Sequence, residues 1–131
     1  MAELFSNEWI NRLKDLWNET PEVSDKLAEI NFNATIGCGY KDEPNPACVF
    51  VVENGKAVSA GLYNGEELDW DMRATKENWE KWAKKPLTLT TIGLAVATGK
   101  LKFEKGDFAS MIKNPSMAGP FVKSFALMSQ I

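Results

Sequence analysis

The chain has 131 residues, of which 44% are hydrophobic and 25% are charged, and its net charge is −3 at pH 7. This composition predicts a single folded globular domain over residues 1–131, and the acidic balance argues against a nucleic-acid partner, because phosphate binding needs an excess of Lys and Arg. The sequence contains no histidine, which excludes Ser-His-Asp and Cys-His catalysis and removes the commonest zinc ligand.

The sequence has the pattern of neither a membrane-spanning nor an exported chain. No stretch approaches the ~20 apolar residues that cross a bilayer, and the start "MAELFSNEWINRL" has no basic region followed by an apolar one. We therefore expect a cytoplasmic protein. In that compartment Cys38 and Cys48 are expected to be buried free thiols on neighbouring strands, with a disulfide between them as the alternative.

Two helices are predicted at the start of the chain. Residues 4–17 place Leu, Phe, Ile and Trp side chains at helical spacing, with charged and amide residues between them. The tripeptide TPE at 20–22 provides an N-cap residue, a proline at the first helical position and an acidic first turn. This start signal predicts a second helix that runs to about Ile30.

Four strands are predicted next. Residues 31–40 alternate apolar and polar side chains, which is typical of a strand, and residues 47–53 are almost continuously apolar. The Asn-Gly pair at 54–55 is the preferred pair for a type I′ hairpin. A second Asn-Gly pair at 64–65 leads into the alternating segment 68–74. These short turns predict an antiparallel meander.

The second half of the chain is predicted to hold three further elements and an amphipathic tail. Thr75 can cap a helix at 76–85, and Pro86 ends it. The segment 87–99 contains Thr and Val, which favour strands, but its length and a C-terminal Gly99 favour a helix. The remaining predicted elements are a strand at 100–106, a helix capped by Asp107 and the tail 117–131.

A group of acidic residues surrounds the start of the fourth predicted strand. Asp69 and Asp71 follow two glutamates at 66–67. Paired carboxylates can act as acid and base when burial separates their pKa values, but these alternate away from the apolar side chains and are expected to be solvated. We therefore expect no catalytic residue, and we expect no cofactor or metal.

The element order predicts an α+β fold, with a five-stranded, mostly antiparallel curved sheet covered on one face by helices. Two segments of it resemble the sterol carrier protein type 2 family. One is "LDWDMRATKENWEKW" at 68–82, and the other is the run GKLK followed by GD within 99–107. The residues that match the family's signature in the second segment are Gly99, Lys100, Leu101, Lys102, Gly106 and Asp107. The similarity extends more weakly over about residues 30–113.

The resemblance implies a non-catalytic carrier that binds and transfers a fatty acid, fatty acyl-CoA, sterol or similar lipid in a hydrophobic tunnel. It implies a lipid or acyl-CoA ligand, transient contact with a membrane surface, and a monomer or weak homodimer. Lysines at 100, 102 and 105 can attract a CoA phosphate or an anionic membrane, although a solvated strand face is the favoured interpretation. Two alternatives stay open: an oligomerisation or regulatory module that uses 117–131 as a partner surface, and a small hydratase or isomerase that uses a single Asp.

The cavity residues follow from the pattern and the resemblance together. Alternation and helical spacing predict which side chains face inward, but the same spacings fit a packed core, and the resemblance alone favours a cavity. The residues expected to line it are Phe32, Ile36, Phe50, Val52, Leu62, Trp70, Met72, Trp79, Trp82, Ile92, Leu94, Val96, Phe103, Met111, Phe121, Phe125 and Met128.

Overall fold

The computed structural model describes residues 2–131, and in this part of the chain six helices and five strands are present. In chain order they are α1 (Asn7–Glu19), α2 (Pro21–Ala28), β1 (Ala34–Tyr40), β2 (Cys48–Glu53), β3 (Lys56–Leu62), β4 (Trp70–Ala74), α3 (Lys76–Lys84), α4 (Leu89–Ala97), β5 (Lys102–Lys105), α5 (Phe108–Ile112) and α6 (Pro115–Met128). Both the helix predicted at 87–99 and the strand that follows it are confirmed.

Most helices begin at a residue whose side chain accepts a hydrogen bond from an otherwise unpaired backbone N–H. Thr75 caps α3 and Asp107 caps α5, as predicted. Thr20 was expected to cap α2, but its side chain makes no capping bond there. Its hydroxyl instead donates to the Leu16 carbonyl at 2.6 Å, at the end of α1, so the proline at the first helical position marks the start of α2 without a side-chain cap.

The sheet is mixed, and the predicted antiparallel meander is wrong. Its strand order is β3-β2-β1-β4-β5, and β4 pairs with β1 in parallel while the other pairings are antiparallel. The first hairpin is confirmed, because Asn54 and Gly55 both have positive φ, as a type I′ turn requires. The second Asn-Gly pair does not close a hairpin. It begins a crossover, 63–69, that carries the chain past β2 and β1 to the far side of the sheet.

The crossover lies on the outer face of the sheet, which is the face turned away from the cavity described below. Asp69 fixes its end, since its N–H donates to the Thr35 carbonyl at 2.9 Å and its carboxylate accepts from the Thr35 N–H at 2.8 Å. A Cβ on Gly37 would lie 3.2 Å from Pro46 and 3.3 Å from Leu68. Glycine in β1 therefore lets both outer loops approach the sheet closely.

Helix α1 covers the free edge of β3. The Asn18 side chain donates to the Ala57 carbonyl and accepts from the Ala57 N–H, each at 2.8 Å, so it pairs with the strand as a neighbouring strand would. Trp17 adds a bond from its indole N–H to the Gly55 carbonyl at 2.9 Å. These contacts satisfy backbone groups that would otherwise be open to pairing with another chain.

The inner face of the sheet brings apolar side chains from three strands together. Ile36 lies opposite Phe50 on one side and Trp70 on the other, and Cys38 lies opposite Met72. The helices pack over this face, and Ile10, Leu13, Val52, Ile92 and Phe125 are among the residues that are almost completely buried there.

The close approach of the outer loop to β1 generates a prediction. A Cβ on Gly39 would lie 2.7 Å from the Pro46 Cα, whereas a Cβ on Gly93 in α4 would meet nothing within 4 Å. We expect Gly39→Ala to lower the free energy of unfolding by about 1–3 kcal/mol, because backbone atoms must shift. We expect Gly93→Ala to raise it by up to about 1 kcal/mol. Urea unfolding of both variants checks this, and equal effects would contradict the packing.

Candidate functional site

An apolar cavity lies between the inner face of the sheet and the helices. It is partly open to solvent and has a volume of about 40 Å³. The sheet, α1, α2, α5 and α6 all contribute to its wall, together with the segment before β1. Its lining residues are Trp17, Leu27, Phe32, Ile36, Phe50, Trp70, Met72, Met111, Met117, Phe121, Ser124 and Met128.

The wall is unusually rich in methionine. All four methionines of residues 2–131 line the cavity, and methionine is the apolar side chain that adapts most readily to ligands of different shape. Ser124 is the one hydroxyl residue in the lining, and its Oγ donates to the Phe121 carbonyl one turn earlier in α6. The cavity therefore offers an apolar surface with little for a polar ligand to bind.

Eight of the residues predicted from the sequence lie on this wall. They are Phe32, Ile36, Phe50, Trp70, Met72, Met111, Phe121 and Met128. The structure thus brings them together around one space; a role in ligand binding remains a prediction.

Seven other predicted residues lie in or beside the core, away from this wall. Val52 and Ile92 are buried, Val96 is half-buried, and Phe103 packs behind the wall with ring centroids 5.8 Å from Trp70 and 5.9 Å from Phe121. The other three, Trp79, Trp82 and Phe125, form an aromatic cluster in which the Trp79 and Phe125 rings stack at 6.2 Å.

The aromatic cluster borders a second, smaller void of about 10 Å³. Trp79 is fixed there by a hydrogen bond from its indole N–H to the Gly39 carbonyl at 2.9 Å. Met128 lines both this void and the main cavity. A rotation of this flexible side chain would therefore change how far the two spaces are separated.

Leu62 and Leu94 were expected to line the cavity, and neither does. Leu62 pairs with Cys48 and so lies on the inner side of the sheet, but it ends the edge strand β3 and is 58% exposed. Leu94 is 64% exposed because the core-facing side of α4 is occupied by Ile92 and Ala95.

Four lining residues were not among the predicted site residues. Trp17 and Leu27 carry a signal, since helical spacing places both on the inward sides of the first two helices, but that spacing does not distinguish a cavity wall from a core. Met117 carries the same signal, because it lies four residues before Phe121 in the apolar spacing of the tail. Ser124 carries none, since a serine among apolar residues does not indicate a cavity wall.

Gly106, of the family-like signature, supports one wall of the cavity. It has a φ of +102°, and a Cβ at this position would overlap the Trp70 indole ring. Only glycine therefore allows the backbone to pass in direct contact with the Trp70 ring. The GD pair of the signature thus places the tryptophan and, through Asp107, begins α5.

The carboxylates expected to be solvated include one that is buried. Asp71 accepts two hydrogen bonds from Arg73, from Nε to Oδ1 at 2.6 Å and from Nη2 to Oδ2 at 2.9 Å, and both side chains are almost fully buried. The guanidinium also donates to the carbonyls of Tyr40 and Glu43. The pair holds the loop after β1 against the outer face of the sheet, so the solvated placement of Asp71 is wrong.

The two cysteines are free and buried, as predicted, and lie opposite each other on β1 and β2. Burial raises the pKa of the Cys38 thiol to about 12, with a smaller contribution from the nearby Asp71 carboxylate. Burial also raises the pKa of Cys48 well above its usual value. Both thiols are therefore neutral near pH 7 and act as small apolar core residues.

The described residues contain neither a cluster of metal-ligating side chains nor a membrane-spanning helix. Within residues 2–131, no group of three or more His, Cys, Asp or Glu side chains is placed to hold a metal ion. None of the helices in that range combines the length and apolarity needed to cross a bilayer.

Three solved structures resemble this chain over nearly its whole length. Sterol carrier protein 2 has a TM-score of 0.75 and 18% identity over 98% of this chain and 99% of that chain. A Thermus thermophilus protein described as possibly a sterol carrier protein has a TM-score of 0.70 and 19% identity over 99% and 90%. The sterol carrier protein domain 2 of Helicoverpa armigera has a TM-score of 0.50 and 16% identity over 99% and 94%.

The chain therefore has the fold of sterol carrier protein 2, and the α+β architecture expected from the sequence is confirmed. No protein-family model matches the chain, and the comparison with curated proteins gives no significant match. The similarity is thus one of fold, at low sequence identity.

The buried ion pair generates a prediction about the role of the carboxylates. We expect Asp71→Asn to lower the free energy of unfolding by about 3–5 kcal/mol, because it leaves the Arg73 charge buried without a partner. Glu104→Gln is the matched control, since it removes the exposed pair with Lys102 and should change stability little. Urea unfolding of the two variants measures this difference. Equal and small losses would contradict a structural role for Asp71.

Proposed function

We propose that this chain binds an apolar, chain-like lipid in the methionine-lined cavity and carries it without chemical change. The observation that carries the proposal is the cavity wall, which is apolar almost throughout and is formed between the sheet and α5–α6. Sites for small apolar ligands are concave and apolar with few polar groups. Its fold is that of proteins named sterol carrier proteins, which supports a lipid as the ligand class.

The cavity must expand to hold a lipid. The cavity has a volume of about 40 Å³, enough for only a few waters, whereas ligand pockets commonly measure roughly 300–1,000 Å³. We infer that a bound lipid displaces methionine side chains and moves α5 and the start of α6 outward. Helix α5 is five residues long and Met111 is its buried residue, so few contacts oppose this movement.

A fatty acid or fatty acyl-CoA suits the geometry better than a rigid sterol. The main cavity and the second void share Met128 as a wall, so rotation of Met128 would open a passage between them. A flexible acyl chain can pass from one small space into the other, whereas a fused ring system cannot. The free thiols at 38 and 48 favour the cytoplasm as the place of action.

The two alternative functions have less support. A partner surface on residues 117–131 conflicts with the burial of Phe125, Leu127 and Met128 on α6, because these apolar side chains pack in the core and are not available to a partner. Catalysis by Asp69 or Asp71 has little support, since the Asp71 carboxylate is held by Arg73 and the Asp69 carboxylate by the Thr35 N–H.

A direct test is mass spectrometry of the purified protein under native conditions and after organic extraction, followed by titration with a fluorescent fatty acid. We expect one lipid per chain. Met117→Trp, which enlarges a side chain on the wall, should weaken binding of the probe at least about tenfold, because it occupies the ligand's space. Leu62→Trp is the control, because Leu62 is 58% exposed and lies outside the wall, and it should bind like the original chain.

The outcome that would refute the carrier is equally definite. If no lipid is extracted and added fatty acids, acyl-CoAs and sterols neither bind nor raise the melting temperature, the cavity is a packing defect of the core. Circular dichroism of each variant separates loss of binding from loss of fold.

Tryptophan emission gives an independent prediction. Trp17 and Trp70 border the main cavity, whereas Trp79 and Trp82 lie in the aromatic cluster. We expect Trp70→Phe to remove most of the emission change that a lipid produces and Trp82→Phe to remove a smaller part, because the acyl chain reaches the second void only past Met128. The measurement is a fluorescence titration with a non-fluorescent fatty acid. The reverse pattern would place the ligand against the aromatic cluster instead.

A further inference from the structure

Helix α4 presents an apolar, uncharged face to solvent. Ile92 and Ala95 are buried on one side of it, whereas Leu89 is 58% and Leu94 64% exposed. Successive residues of an α-helix are rotated by about 100° around its axis. On the side of α4 between Leu89 and Leu94, the other residues are therefore only Thr90, Gly93 and Ala97. A surface helix ordinarily turns charged and polar side chains to water, so this face has the composition of a surface that is covered in use.

Exposed lysines flank α4 at both ends in the sequence. The sequence between Glu80 and Glu104 contains five lysines and no acidic residue, although the whole chain has a net charge of −3. Lys84 and Lys85 precede α4, Lys100 follows it, and all three are exposed. Among the described residues, none of these three forms an ion pair. Their charges are therefore available to a partner.

We propose that the exposed face of α4 and its flanking lysines dock on the surface of a membrane that contains anionic phospholipids. Exposed leucines can insert among acyl chains while nearby lysine ammonium groups bind lipid phosphates, and α4 with its flanking segments offers both. The contact is with the surface only, because none of the helices in 2–131 is suited to cross a bilayer. The acidic remainder of the chain is repelled by the same membrane, which orients the docked protein.

Charge favours a membrane over a second copy of this chain. In a symmetric dimer formed through this face, each copy would place the same lysines against those of its partner, and like charges oppose such a contact. An anionic lipid surface instead supplies the opposite charge to the lysines and an apolar layer to the leucines. One partner thus accounts for both features.

The test uses the full chain, one double leucine variant and one single leucine control. We expect the protein to sediment with phosphatidylcholine vesicles that contain phosphatidylserine, with an affinity that falls as salt rises. The double variant Leu89→Ser, Leu94→Ser should lose affinity about tenfold or more, because its apolar contact is gone. Leu62→Ser is the matched control, since Leu62 is as exposed as Leu89, and it should bind vesicles like the original chain.

A second variant tests the electrostatic part. Lys84→Gln, Lys85→Gln should weaken binding to vesicles that contain phosphatidylserine and reduce the effect of salt, while binding to pure phosphatidylcholine stays unchanged. Absence of vesicle binding in the original chain, or equal binding by the leucine double variant, would overturn the proposal. So would a dimer in sedimentation velocity that the leucine substitutions dissociate, which would assign the face to a second copy.

The docking surface and the lipid cavity can fail separately. Titration of the leucine double variant with a fluorescent fatty acid, in the absence of vesicles, should give the affinity of the original chain, because the exposed α4 residues lie outside the cavity wall. A variant that keeps the fatty acid and loses the vesicle supports docking by α4. A chain that binds vesicles through α4 but no fatty acid would retain the docking surface and remove the carrier function.

Discussion

The parallel pairing of β1 with β4 is the constraint on which the rest of the structure depends. It places Trp70 beside Ile36 and Met72 beside Cys38, so that the cavity floor is made of side chains far apart in the sequence. It also requires a crossover, because parallel strands are not joined by a tight turn. That crossover runs over the outer face, leaves the inner face to the helices, and gives the sheet one loop-covered side and one side available for a cavity.

The outer face meets its polar requirements within the protein. Arg73 binds the Asp71 carboxylate and the carbonyls of Tyr40, at the end of β1, and Glu43, in the loop after it. Asp69 binds both backbone groups of Thr35. No buried side-chain nitrogen or oxygen in residues 2–131 lacks a hydrogen-bond partner. Acidic residues that stand together in the sequence therefore serve to fasten loops to a sheet. Their proximity alone is poor evidence for catalysis, because a carboxylate that is paired with a buried arginine is held in a structural role.

Local sequence patterns predicted the helices, strands and turns well, but they did not predict which distant strands pair. Caps at Thr75 and Asp107, the turn at 54–55 and the helix before Gly99 all depend on nearest neighbours along the chain, and all are present. The parallel pairing was missed because the Asn-Gly pair at 64–65 has the residues of a hairpin turn, and the turn alone does not specify which strand the next one joins. For the site, alternation found Ile36, Phe50 and Met72, but helical spacing does not distinguish a cavity wall from a packed core, so it did not single out Met117 or Ser124 on α6.

The small size of the cavity and its methionine wall are connected through stability. An empty space of roughly 300 Å³, fixed in a rigid core, would cost about 7 kcal/mol at about 24 cal/mol per Å³, which is comparable to the whole free energy of unfolding of a typical domain. Flexible side chains reduce that cost because they fill the space when no ligand is present and withdraw when one enters. A protein that must stay folded both with and without a bound lipid is therefore more stable with a flexible wall that fills the empty cavity than with a rigid wall that leaves it open. The four methionines around this cavity are the residues that such a requirement selects.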